Sequence, residues 1–452
     1  MMTQTPVGLV WITPSENDYA SMRISSDYHL GCGYLAAYLE AKGIRSKQYI
    51  TKSISPDEFA RLVISDGVKV LGFSVKDTNF YAVRWAANAI KSIDPSIVVA
   101  VGGLTATFSD ELMLRECKAI DVCLRGYSEH SFHGFVEGVL AGRDWSKTPG
   151  ISYLSEGSFL QNAEQKVPAA HDLDFLPSPY LSSVLPPEAG LKVGLSTSRG
   201  CVFRCTFCNP TAMAGYKIAY HSDERVLSEI KLIDAAVASS GFTGKRIMLL
   251  NEDIFALNVP RTIRICDRLA QDPPRHLYFA CETRIEHLTE EALRSMYAAG
   301  FRLLKFGLES ANPRVLNLIK KVRTTDGAKD DYAAEKEFLE RIASIVRLAK
   351  SIGFRMVAGA IFGLPGESLP DSIETLDYLR KIDIDEYYHN FLHLFPGTEA
   401  FRTHREWGYK VEVQPDFYPT IYRTSGWPYS VELVPRLTEK LDHSFRHNIV
   451  QL

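Results

Sequence analysis

Short apolar runs alternate with longer amphipathic runs along most of the 452-residue chain, and this alternation restricts the possible folds more than any other feature. In the first third, helical patterns such as HLGCGYLAAYLEAK (29–42) separate the apolar runs, and that pattern stops at Gly43, as helices commonly do. Five strands are predicted there, at residues 7–12, 44–50, 68–75, 97–101 and 119–124. Because parallel strands need crossovers, the alternation predicts an α/β fold with an amino-terminal, Rossmann-like, doubly wound sheet.

The composition excludes several classes of protein. Hydrophobic residues make up 46% and charged residues 23% of the chain, which is ordinary for a globular protein and excludes a disordered or fibrous one. The 51 Lys and Arg against 54 Asp and Glu leave a net charge of −3, so nucleic acid and acidic membrane surfaces are not expected partners. No apolar run approaches the roughly 18 residues of a membrane span, and the first residues lack signal-peptide features. We therefore expect a cytoplasmic protein with reduced cysteines.

Residues at the predicted carboxyl ends of the first strands are candidates for ligand binding. Doubly wound sheets bind ligands at that edge, around the point where the strand order reverses. Beside residues 13–15, the candidates are Ser74, Asp77, Gly102, Gly103, Gly126 and Glu129. Paired glycines after a strand let a large planar ligand approach the backbone closely, although they also serve simply to turn the chain. These loops contain no GxGxxG phosphate fingerprint.

Three of the eight cysteines lie within eight residues, and they are the strongest chemical signal in the sequence. Cys201, Cys205 and Cys208 follow the predicted strand 191–198 with the spacing C-x3-C-x2-C, and three such thiolates can bind one soft metal centre. A structural zinc site needs four ligands and no second pair is nearby, whereas an iron–sulfur cluster held by three cysteines keeps one iron open. The other five cysteines are scattered, which is typical of buried structural thiols.

With this loop the sequence resembles the radical S-adenosylmethionine (SAM) enzymes over nearly the whole chain. In that family a C-x3-C-x2-C loop with an aromatic residue before its last cysteine, here Phe207, binds a [4Fe–4S] cluster. The resemblance implies that the open iron holds the amino and carboxylate groups of SAM, and that electron transfer from the cluster cleaves SAM to a 5′-deoxyadenosyl radical. It therefore implies an enzyme with a [4Fe–4S] cluster and SAM as cofactors, and with Cys201, Cys205 and Cys208 as the metal ligands.

The pattern after the cysteines matches the partial (β/α)6 barrel of that family. With strand 191–198, strands are predicted at 246–250, 277–281, 302–307, 354–362 and 387–395, and helices at 223–239, 289–299, 333–352 and 369–380. We divide the chain into a domain at 1–150, a linker rich in Pro and Ser at 151–190, the barrel at 191–410 and a carboxyl-terminal cap or extension at 411–452. The charged segment 320–336 is interpreted as a solvated loop.

Functional groups of such barrels lie on the loops that follow the strands. By resemblance, Glu309 and Ser310 lie near the ribose or methionine part of SAM, and Gly363 to Gly366 approach its adenine. Glu282 and Arg284 likewise line the cofactor and substrate cavity, although a solvated strand end is the alternative for each acidic residue. The family's usual Gly-Gly-Glu after the second strand is replaced by Asn251-Glu252-Asp253. Glu252 and Asp253 resemble the acidic pair of the cobalamin-binding subgroup.

The segments 30–43, 72–80, 102–108 and 125–132 resemble the cobalamin-binding domain that precedes the barrel in one branch of the family. The resemblance implies cobalamin as a third cofactor, with its nucleotide tail held by the sheet at 1–150. Where a histidine ligates cobalt, the signature is D-x-H-x-x-G, and in Asp27-Tyr28-His29-Leu30-Gly31 the glycine comes one residue early. We therefore predict that His29 starts a helix and does not bind cobalt.

The resemblance favours a cobalamin-dependent radical SAM methyltransferase that acts on an unactivated carbon or phosphorus centre of a small molecule. A second hypothesis keeps the radical chemistry without methyl transfer, as in a rearrangement, a decarboxylation or the transfer of another SAM fragment. A third, an iron–sulfur electron-transfer or sensor protein, has no need of a large barrel and an open iron. A reductant such as flavodoxin or ferredoxin is the implied protein partner, and these residues do not identify the substrate.

Overall fold

The computed structural model describes residues 5–12, 29–51, 54–164, 172–186, 192–250, 254–322, 331–413 and 422–427. These residues form two compact units. The first unit contains the described residues up to Gly194 together with Ala219–Ser240 and Val413–Arg423, and the second unit contains the others. Each unit is built on a sheet whose strands are mainly parallel.

The described residues up to 161 contain seven strands and six α-helices. The strands are β1 (Val7–Ile12), β2 (Ser46–Thr51), β3 (Val70–Ser74), β4 (Val98–Gly102), β5 (Val122–Leu124), β6 (Ile151–Ser155) and β7 (Ser158–Gln161). The helices are α1 (Leu30–Ala41), α2 (Pro56–Ser65), α3 (Phe80–Ile93), α4 (Leu104–Phe108), α5 (Asp110–Glu116) and α6 (Glu129–Leu140), with a short 3-10 helix at Asp77–Asn79. The five strands predicted for this region are all present, within a few residues of their predicted bounds.

The sheet of the first unit has the order β2-β1-β3-β4-β5-β6-β7, and its first five strands are parallel. This confirms the doubly wound fold. The strand order reverses between β1 and β3, because the chain runs outward to β2 and then returns to the other side of β1. The carboxyl ends of β1 and β3 therefore flank the crevice in which such sheets bind ligands.

A hairpin extends this sheet within residues 151–190, the segment whose Pro and Ser content predicts a linker. β6 pairs antiparallel with β5 and with β7, and Glu156-Gly157 is the two-residue turn between β6 and β7. Both turn residues have positive φ angles, 49° and 81°, as the type I′ hairpin turn requires. Residues 151–161 are therefore part of the sheet. The sequence signal for them is a glycine-containing pair between two short runs of β-forming residues.

The later described residues contain ten strands and eight α-helices. The strands are β8 (Lys192–Leu195), β9 (Ser198–Gly200), β10 (Ile218–Tyr220), β11 (Arg246–Leu250), β12 (Leu277–Glu282), β13 (Phe301–Glu309), β14 (Arg355–Phe362), β15 (Glu386–Phe391), β16 (Lys410–Val413) and β17 (Tyr422–Ser425). The helices are α7 (Asn209–Met213), α8 (Asp223–Ser239), α9 (Val259–Gln271), α10 (Glu290–Ala298), α11 (Pro313–Leu318), α12 (Ala333–Ile352), α13 (Leu369–Lys381) and α14 (Glu399–Arg402), with 3-10 helices at Ile285–His287 and His404–Trp407. The predicted first barrel strand is divided into β8 and β9.

Six strands form one sheet of order β15-β14-β13-β12-β11-β8, and the strands from β11 to β15 are parallel. Residues alternate along β13, where Leu304, Phe306 and Leu308 are buried. The residues between them, Lys305 and Gly307 among them, are partly exposed on the other face, which we call the lumen face. This one-sided exposure is typical of a barrel strand whose outer face is covered by helices.

The parallel register places particular side chains next to one another on the lumen face. Lys305 lies opposite Glu282 of β12, and Gly307 lies opposite Gly359 of β14. Gly359 in turn lies opposite Tyr388 of β15. Two glycines thus adjoin each other in the middle of the lumen face, with charged and aromatic residues around them.

Among the described residues, no helix combines the length and the apolarity that a membrane crossing requires.

Most of the predicted carboxyl-terminal cap, 411–452, lies outside the described residues, which include only β16, β17 and the two residues that follow β17.

We predict that Gly103 tolerates no side chain, for a reason internal to the sheet. Its φ is 104°, and a Cβ atom built on it would lie 2.7 Å from the backbone oxygen of Val75. Gly103→Ala should lower the free energy of unfolding by about 2 kcal/mol or more, because backbone strain adds to this overlap. Urea unfolding followed by circular dichroism measures the loss. Gly102→Ala is the matched control, since its Cβ would meet no atom closer than 3.8 Å, and equal losses in the two variants would contradict the explanation.

Candidate functional site

The three clustered cysteines lie on one loop between β9 and α7, which we call the cysteine loop (Cys201–Cys208). Gly200 precedes it with a φ of 96°, and a Cβ atom there would lie 2.2 Å from the backbone oxygen of Lys217, so only glycine fits. At the other end Cys208 is the N-cap residue of α7, and its N–H donates to the backbone oxygen of Cys205 at 3.2 Å. Backbone geometry therefore holds both ends of the loop.

The cysteine loop packs against apolar side chains. Cys201 is buried and packs with Phe203 and Ile254, whereas Cys205 is half-buried, as are Cys208 and Phe207. Within the described part of the chain, no three His, Cys, Asp or Glu side chains converge on a single metal ion. A [4Fe–4S] cluster does not need that convergence, because each thiolate binds a different iron. Three thiolates on one loop suit a [4Fe–4S] cluster, which they hold with one iron open, whereas a structural zinc site takes four ligands.

Backbone hydrogen bonds tie the middle of the cysteine loop to two other segments of the second unit. The N–H of Thr206 donates to the oxygen of Ile319 at 3.0 Å, and the oxygen of Thr206 accepts from the N–H of Ala400 at 2.9 Å. The guanidinium of Arg204 lies 4.3 Å from the ring centroid of Tyr216. The loop is thus held along its length, as a site that must position a cofactor requires.

Arg284 contacts the cysteine loop. Its guanidinium carbon lies 3.8 Å from the ring centroid of Phe203, its Nε donates to Glu286 at 2.6 Å, and its Nη2 donates to the backbone oxygen of Lys321. Burial raises the pKa of Glu286, but the positive charges of Arg284 and Lys321 outweigh that effect, so this pKa is lowered overall. The His287 ring stacks on Phe203 at 5.6 Å. Arg284 therefore supports the loop that carries the cysteines, in addition to its predicted place at a strand end.

Glu282 and Lys305 form an ion pair on the lumen face. Lys305 Nζ lies 3.1 Å from Glu282 Oε2 and 4.3 Å from the ring centroid of Tyr388. Burial raises the pKa of Tyr388, and the negative charges of Glu282 and Glu309 raise it further. The phenol therefore stays protonated at neutral pH. These side chains give the lumen face one positive, one negative and one hydrogen-bonding group close together.

Glu309 makes a second ion pair, which is more buried. Lys321 Nζ lies 3.1 Å from Glu309 Oε1, and the exposed fractions of the two side chains are only 6% and 13%. Glu309 has a φ of 68°, which is rare and strained for a residue with a side chain, and the register with β14 shifts between Gly307 and Glu309. A Cβ atom on Gly307 would lie 2.0 Å from Glu309 Oε1, so the carboxylate folds back over this glycine.

The interpretation of segment 320–336 as a solvated loop is wrong for Lys321 and for Glu335. Lys321 pairs with Glu309, and Glu335 is buried in α12, where it accepts a hydrogen bond from Asn317 at 2.9 Å. Residues 323–330 of the segment lie outside the described residues. The local charge pattern held no signal for Lys321, because its partner is brought to it by the fold.

The structure places Ser310 differently from Glu309. Its hydroxyl is fully buried, accepts from the N–H of Asn312 at 3.1 Å and lies 3.4 Å from the hydroxyl of Thr375. These bonds turn the chain into α11. The predicted contact of Ser310 with SAM stays a prediction.

The turn from Gly363 to Gly366 is closed by side chains of its own unit. Glu367 Oε2 accepts from the N–H groups of Gly363 at 2.5 Å and Leu364 at 3.0 Å. A Cβ atom on Gly363 would lie 2.5 Å from Trp427, so the indole lies directly on this glycine. Both glycines have positive φ angles, 75° and 69°. The turn is therefore held by Glu367 and covered by Trp427, and the predicted approach of its backbone to adenine stays a prediction.

The predicted acidic pair Glu252 and Asp253, together with Asn251, lies outside the described residues. Their place between β11 and Ile254 follows from the sequence alone.

In the first unit, His29 lies at the crevice between β1 and β3. Its Nδ1 accepts from the N–H of Cys32 at 3.1 Å, which makes it the N-cap of α1, and its Nε2 lies 3.4 Å from the hydroxyl of Ser74. The ring stacks on Trp11 at 4.4 Å. Burial and the charge of Lys76 lower the pKa of His29 to about 3. A neutral imidazole that accepts at Nδ1 carries its proton at Nε2, so no lone pair is left for a metal.

The glycines at the strand ends of the first unit serve two purposes. Gly126 has a φ of 67° and no atom within 4 Å of an added Cβ, whereas a Cβ on Gly102 would make ordinary contacts, the nearest at 3.8 Å to Leu124. Gly103, by contrast, is filled by the backbone of Val75, so it packs the sheet. Asp77 and Glu129 are buried beside these loops. The open space at Gly126 lies beside the strand ends, which fits the predicted large planar ligand.

Comparisons with protein-family models give a match in each unit. Residues 195–379 match the model of the radical SAM superfamily, and residues 25–136 match the model of the B12 binding domain. The first match contains the cysteine loop and β11 to β14, and the second contains His29, Gly102 and Gly126. The predicted resemblance is therefore confirmed in both parts of the chain.

Among curated proteins, the chain is 27% identical over 399 residues to an uncharacterized methyltransferase of Pyrococcus horikoshii, covering 87% of this chain and 82% of that protein. It is also 23% identical to the anaerobic magnesium-protoporphyrin IX monomethyl ester cyclase of Rubrivivax gelatinosus, covering 84% of this chain and 66% of that protein. The two relatives catalyse different kinds of reaction, so the similarity alone does not select one.

Among solved structures, the chain matches the radical SAM methyltransferase TsrM of Kitasatospora setae, with cobalamin and a [4Fe–4S] cluster bound, at a TM-score of 0.71. The match covers 90% of this chain and 77% of that chain at 16% identity. At this identity the likeness concerns the fold.

We predict that His29 makes the first unit less stable in acid. Its pKa of about 3 in the folded chain lies below the ordinary 6.5, so between these values the unfolded chain takes up a proton that the folded chain refuses. The stabilising contribution is complete above pH 6.5 and is lost as the pH falls toward 3. His29→Asn keeps an N-cap acceptor but cannot titrate. Its unfolding free energy should fall less steeply below pH 6.5 than that of the wild type, by up to about 1.4 kcal/mol per pH unit, in urea titrations at several pH values. Parallel slopes would contradict the prediction.

Proposed function

From the premise that the chain joins a B12-binding domain to a radical SAM domain, we propose that it is a cobalamin-dependent radical SAM methyltransferase acting on a small molecule. The observation that carries the proposal is the cysteine loop, a three-thiolate site between β9 and α7, in a chain whose first unit also has open space at Gly126 beside its strand ends. The methyltransferase relative from Pyrococcus horikoshii supports the reaction class.

The [4Fe–4S] cluster, SAM and cobalamin supply, when bound, reductive carbon–sulfur cleavage, a hydrogen-abstracting radical and methyl transfer. Cys201, Cys205 and Cys208 would hold the cluster in the second unit. Their loop is clamped by the bonds of Thr206 and by the contact between Arg284 and Phe203. These contacts would hold the cluster ligands in place whether or not a substrate is bound.

The lumen face would bind and orient SAM. SAM carries a positive sulfonium centre, an ammonium and a carboxylate, so a surface with fixed charges of both signs suits it. Glu309 and Glu282 offer carboxylates, each held by a lysine at 3.1 Å. Gly307 and Gly359 have no side chains of their own, and the Glu309 carboxylate and the Tyr388 ring lie over them. The acidic pair Glu252 and Asp253 remains part of this proposal on the basis of the sequence.

The first unit would hold cobalamin along its strand ends. Gly102 and Gly126 leave room for the corrinoid tail, while Ser74 orients His29 so that the imidazole supports α1 instead of the cobalt. We propose that Asp77 and Glu129 shape the same crevice, in which both are buried. In this arrangement His29 would not bind the cobalt.

The cellular setting follows from the same chemistry. None of the eight cysteines, all of which lie in described residues, forms a disulfide, which suits a reducing compartment, and we propose that the enzyme acts in the cytoplasm. Electrons would come from a flavodoxin or ferredoxin. The net charge of −3 supports a small molecule, and not a nucleic acid, as the substrate.

A second candidate keeps the cofactors but not the methyl transfer. The similarity to the magnesium-protoporphyrin IX monomethyl ester cyclase of Rubrivivax gelatinosus favours it, because a cyclase forms a ring and is not named for a methyl transfer. The two candidates share the cysteine loop and the lumen face, so only the products separate them.

Product analysis tests the proposal. Reconstituted protein with cobalamin, a reductant and candidate substrates should form S-adenosylhomocysteine and 5′-deoxyadenosine together, whereas 5′-deoxyadenosine alone would favour the second candidate. Cys201→Ala, Cys205→Ala and Cys208→Ala should each abolish both products and the broad absorption near 400 nm (a rough value for thiolate-ligated clusters). Cys117→Ala is the control, since this buried thiol lies in the first unit and should leave the cluster intact. A triad variant with a full cluster and full cleavage would refute the assignment.

The assignment of His29 is tested by spectroscopy on cobalamin-loaded protein. The electron paramagnetic resonance spectrum of bound cob(II)alamin should lack threefold splitting from an axial nitrogen, because both ring nitrogens of His29 are engaged within the first unit. His29→Asn should leave the spectrum unchanged. Nitrogen splitting that disappears in that variant would show that the imidazole binds cobalt.

A further inference from the structure

The short turn after α11, Ile319–Lys321, contacts both the cysteine loop and the lumen face, and we call it the 319–321 turn. The oxygen of Ile319 accepts from the N–H of Thr206 at 3.0 Å, in the middle of the cysteine loop. Two residues later, the Nζ of Lys321 lies 3.1 Å from Glu309. One turn of three residues therefore joins the segment that carries the cysteines to a carboxylate on the lumen face.

Arg284 braces the same turn from another strand end. Its Nη2 donates to the backbone oxygen of Lys321, while its guanidinium lies 3.8 Å from the ring centroid of Phe203. The N–H of Lys321 also donates to the oxygen of Leu316 at 3.0 Å. The backbone of Lys321 is thus hydrogen-bonded at both its N–H and its oxygen, which fixes the position from which its side chain extends.

The conformation of Glu309 depends on Lys321. With a φ of 68°, Glu309 holds a strained backbone that the surroundings must maintain. Its carboxylate folds over Gly307, where an added Cβ would lie 3.1 Å from Lys321 Nζ. Because both side chains are largely buried, removal of the ammonium would leave a buried charge without its partner, which is strongly unfavourable.

We propose that Lys321 is a positioning residue for SAM: it holds the Glu309 carboxylate in the orientation that binds SAM, at a point tied by the 319–321 turn to the cysteine loop. The inference rests on the proposed function, since it requires SAM on the lumen face. Lys320, the neighbouring residue, differs in kind. It pairs with Glu399 at 2.7 Å with more than half of its side chain exposed, and it serves as an internal control.

The test measures SAM dissociation constants by titration calorimetry on protein reconstituted with its cluster. Lys321→Met should weaken SAM binding at least about tenfold, because Glu309 loses its buried partner. Lys321→Arg, which restores a positive charge, should stay within about threefold of the wild type, and Lys320→Met within about twofold. The iron content and the signal of the reduced cluster without SAM should be unchanged in all three variants.

A double-mutant cycle separates positioning from a general structural effect. If Lys321 acts through Glu309, the variant with both Glu309→Gln and Lys321→Met should bind SAM no more weakly than the weaker single variant. Should Lys321→Met fail to fold, Lys321→Gln takes its place with the same thresholds. The inference would be overturned if the fold increases in SAM dissociation constant of the two single variants multiply in the double variant. It would also be overturned if Lys321→Met binds SAM within twofold of the wild type.

The proposed function and this inference fail in different ways. Wild-type protein that carries its cluster but does not bind SAM would refute the function itself, and with it the inference. Equal SAM dissociation constants for the wild-type protein and the Lys321→Met variant would overturn only the proposed role of Lys321.

Discussion

Parallel strands cannot be joined by tight hairpins, and this constraint decides where the loops that follow the described parallel strands lie. Each crossover helix returns the chain to the same end of its sheet, so the loops after successive strands share one edge. In the first unit the register places Ser74 beside Gly102, and in the second it places Glu282 beside Lys305. Residues far apart in sequence become neighbours because the strands that carry them are in register.

The glycines of the two units fall into two groups, those required by backbone packing and those that leave space for other atoms. Gly103 and Gly200 are required by the protein itself, because backbone oxygens occupy the space a side chain would need. Gly126 borders open space, and Gly307 and Gly359 leave room for neighbouring side chains on the lumen face. The distinction matters for function: a substitution of the first kind damages the fold, whereas one of the second kind changes what can bind.

The charged and polar groups of the site are also supported from within their own unit. The strained backbone of Glu309 costs on the order of 1–3 kcal/mol of conformational free energy. Its carboxylate is held by Lys321. His29 gives both ring nitrogens to the first unit and so stays neutral. Groups held in this way keep their orientation without a ligand, and such fixed orientation is what preorganisation of a binding site requires.

The sequence by itself determined the strand–helix alternation, the cysteine loop and the family, because strand periodicity, helix caps and ligand spacing are local properties that a short window contains. It also indicated that His29 begins a helix. The sequence indicated the hairpin at 151–161 only by a short turn pattern, and it gave no indication that Lys321 is buried. Only the tertiary structure decided that Lys321 meets Glu309, that Arg284 lies on Phe203 and that the Ser310 hydroxyl lies against Thr375 of α13. Each of these contacts joins segments whose separation is closed by packing of the sheet, and no local pattern records which distant residue will be the partner.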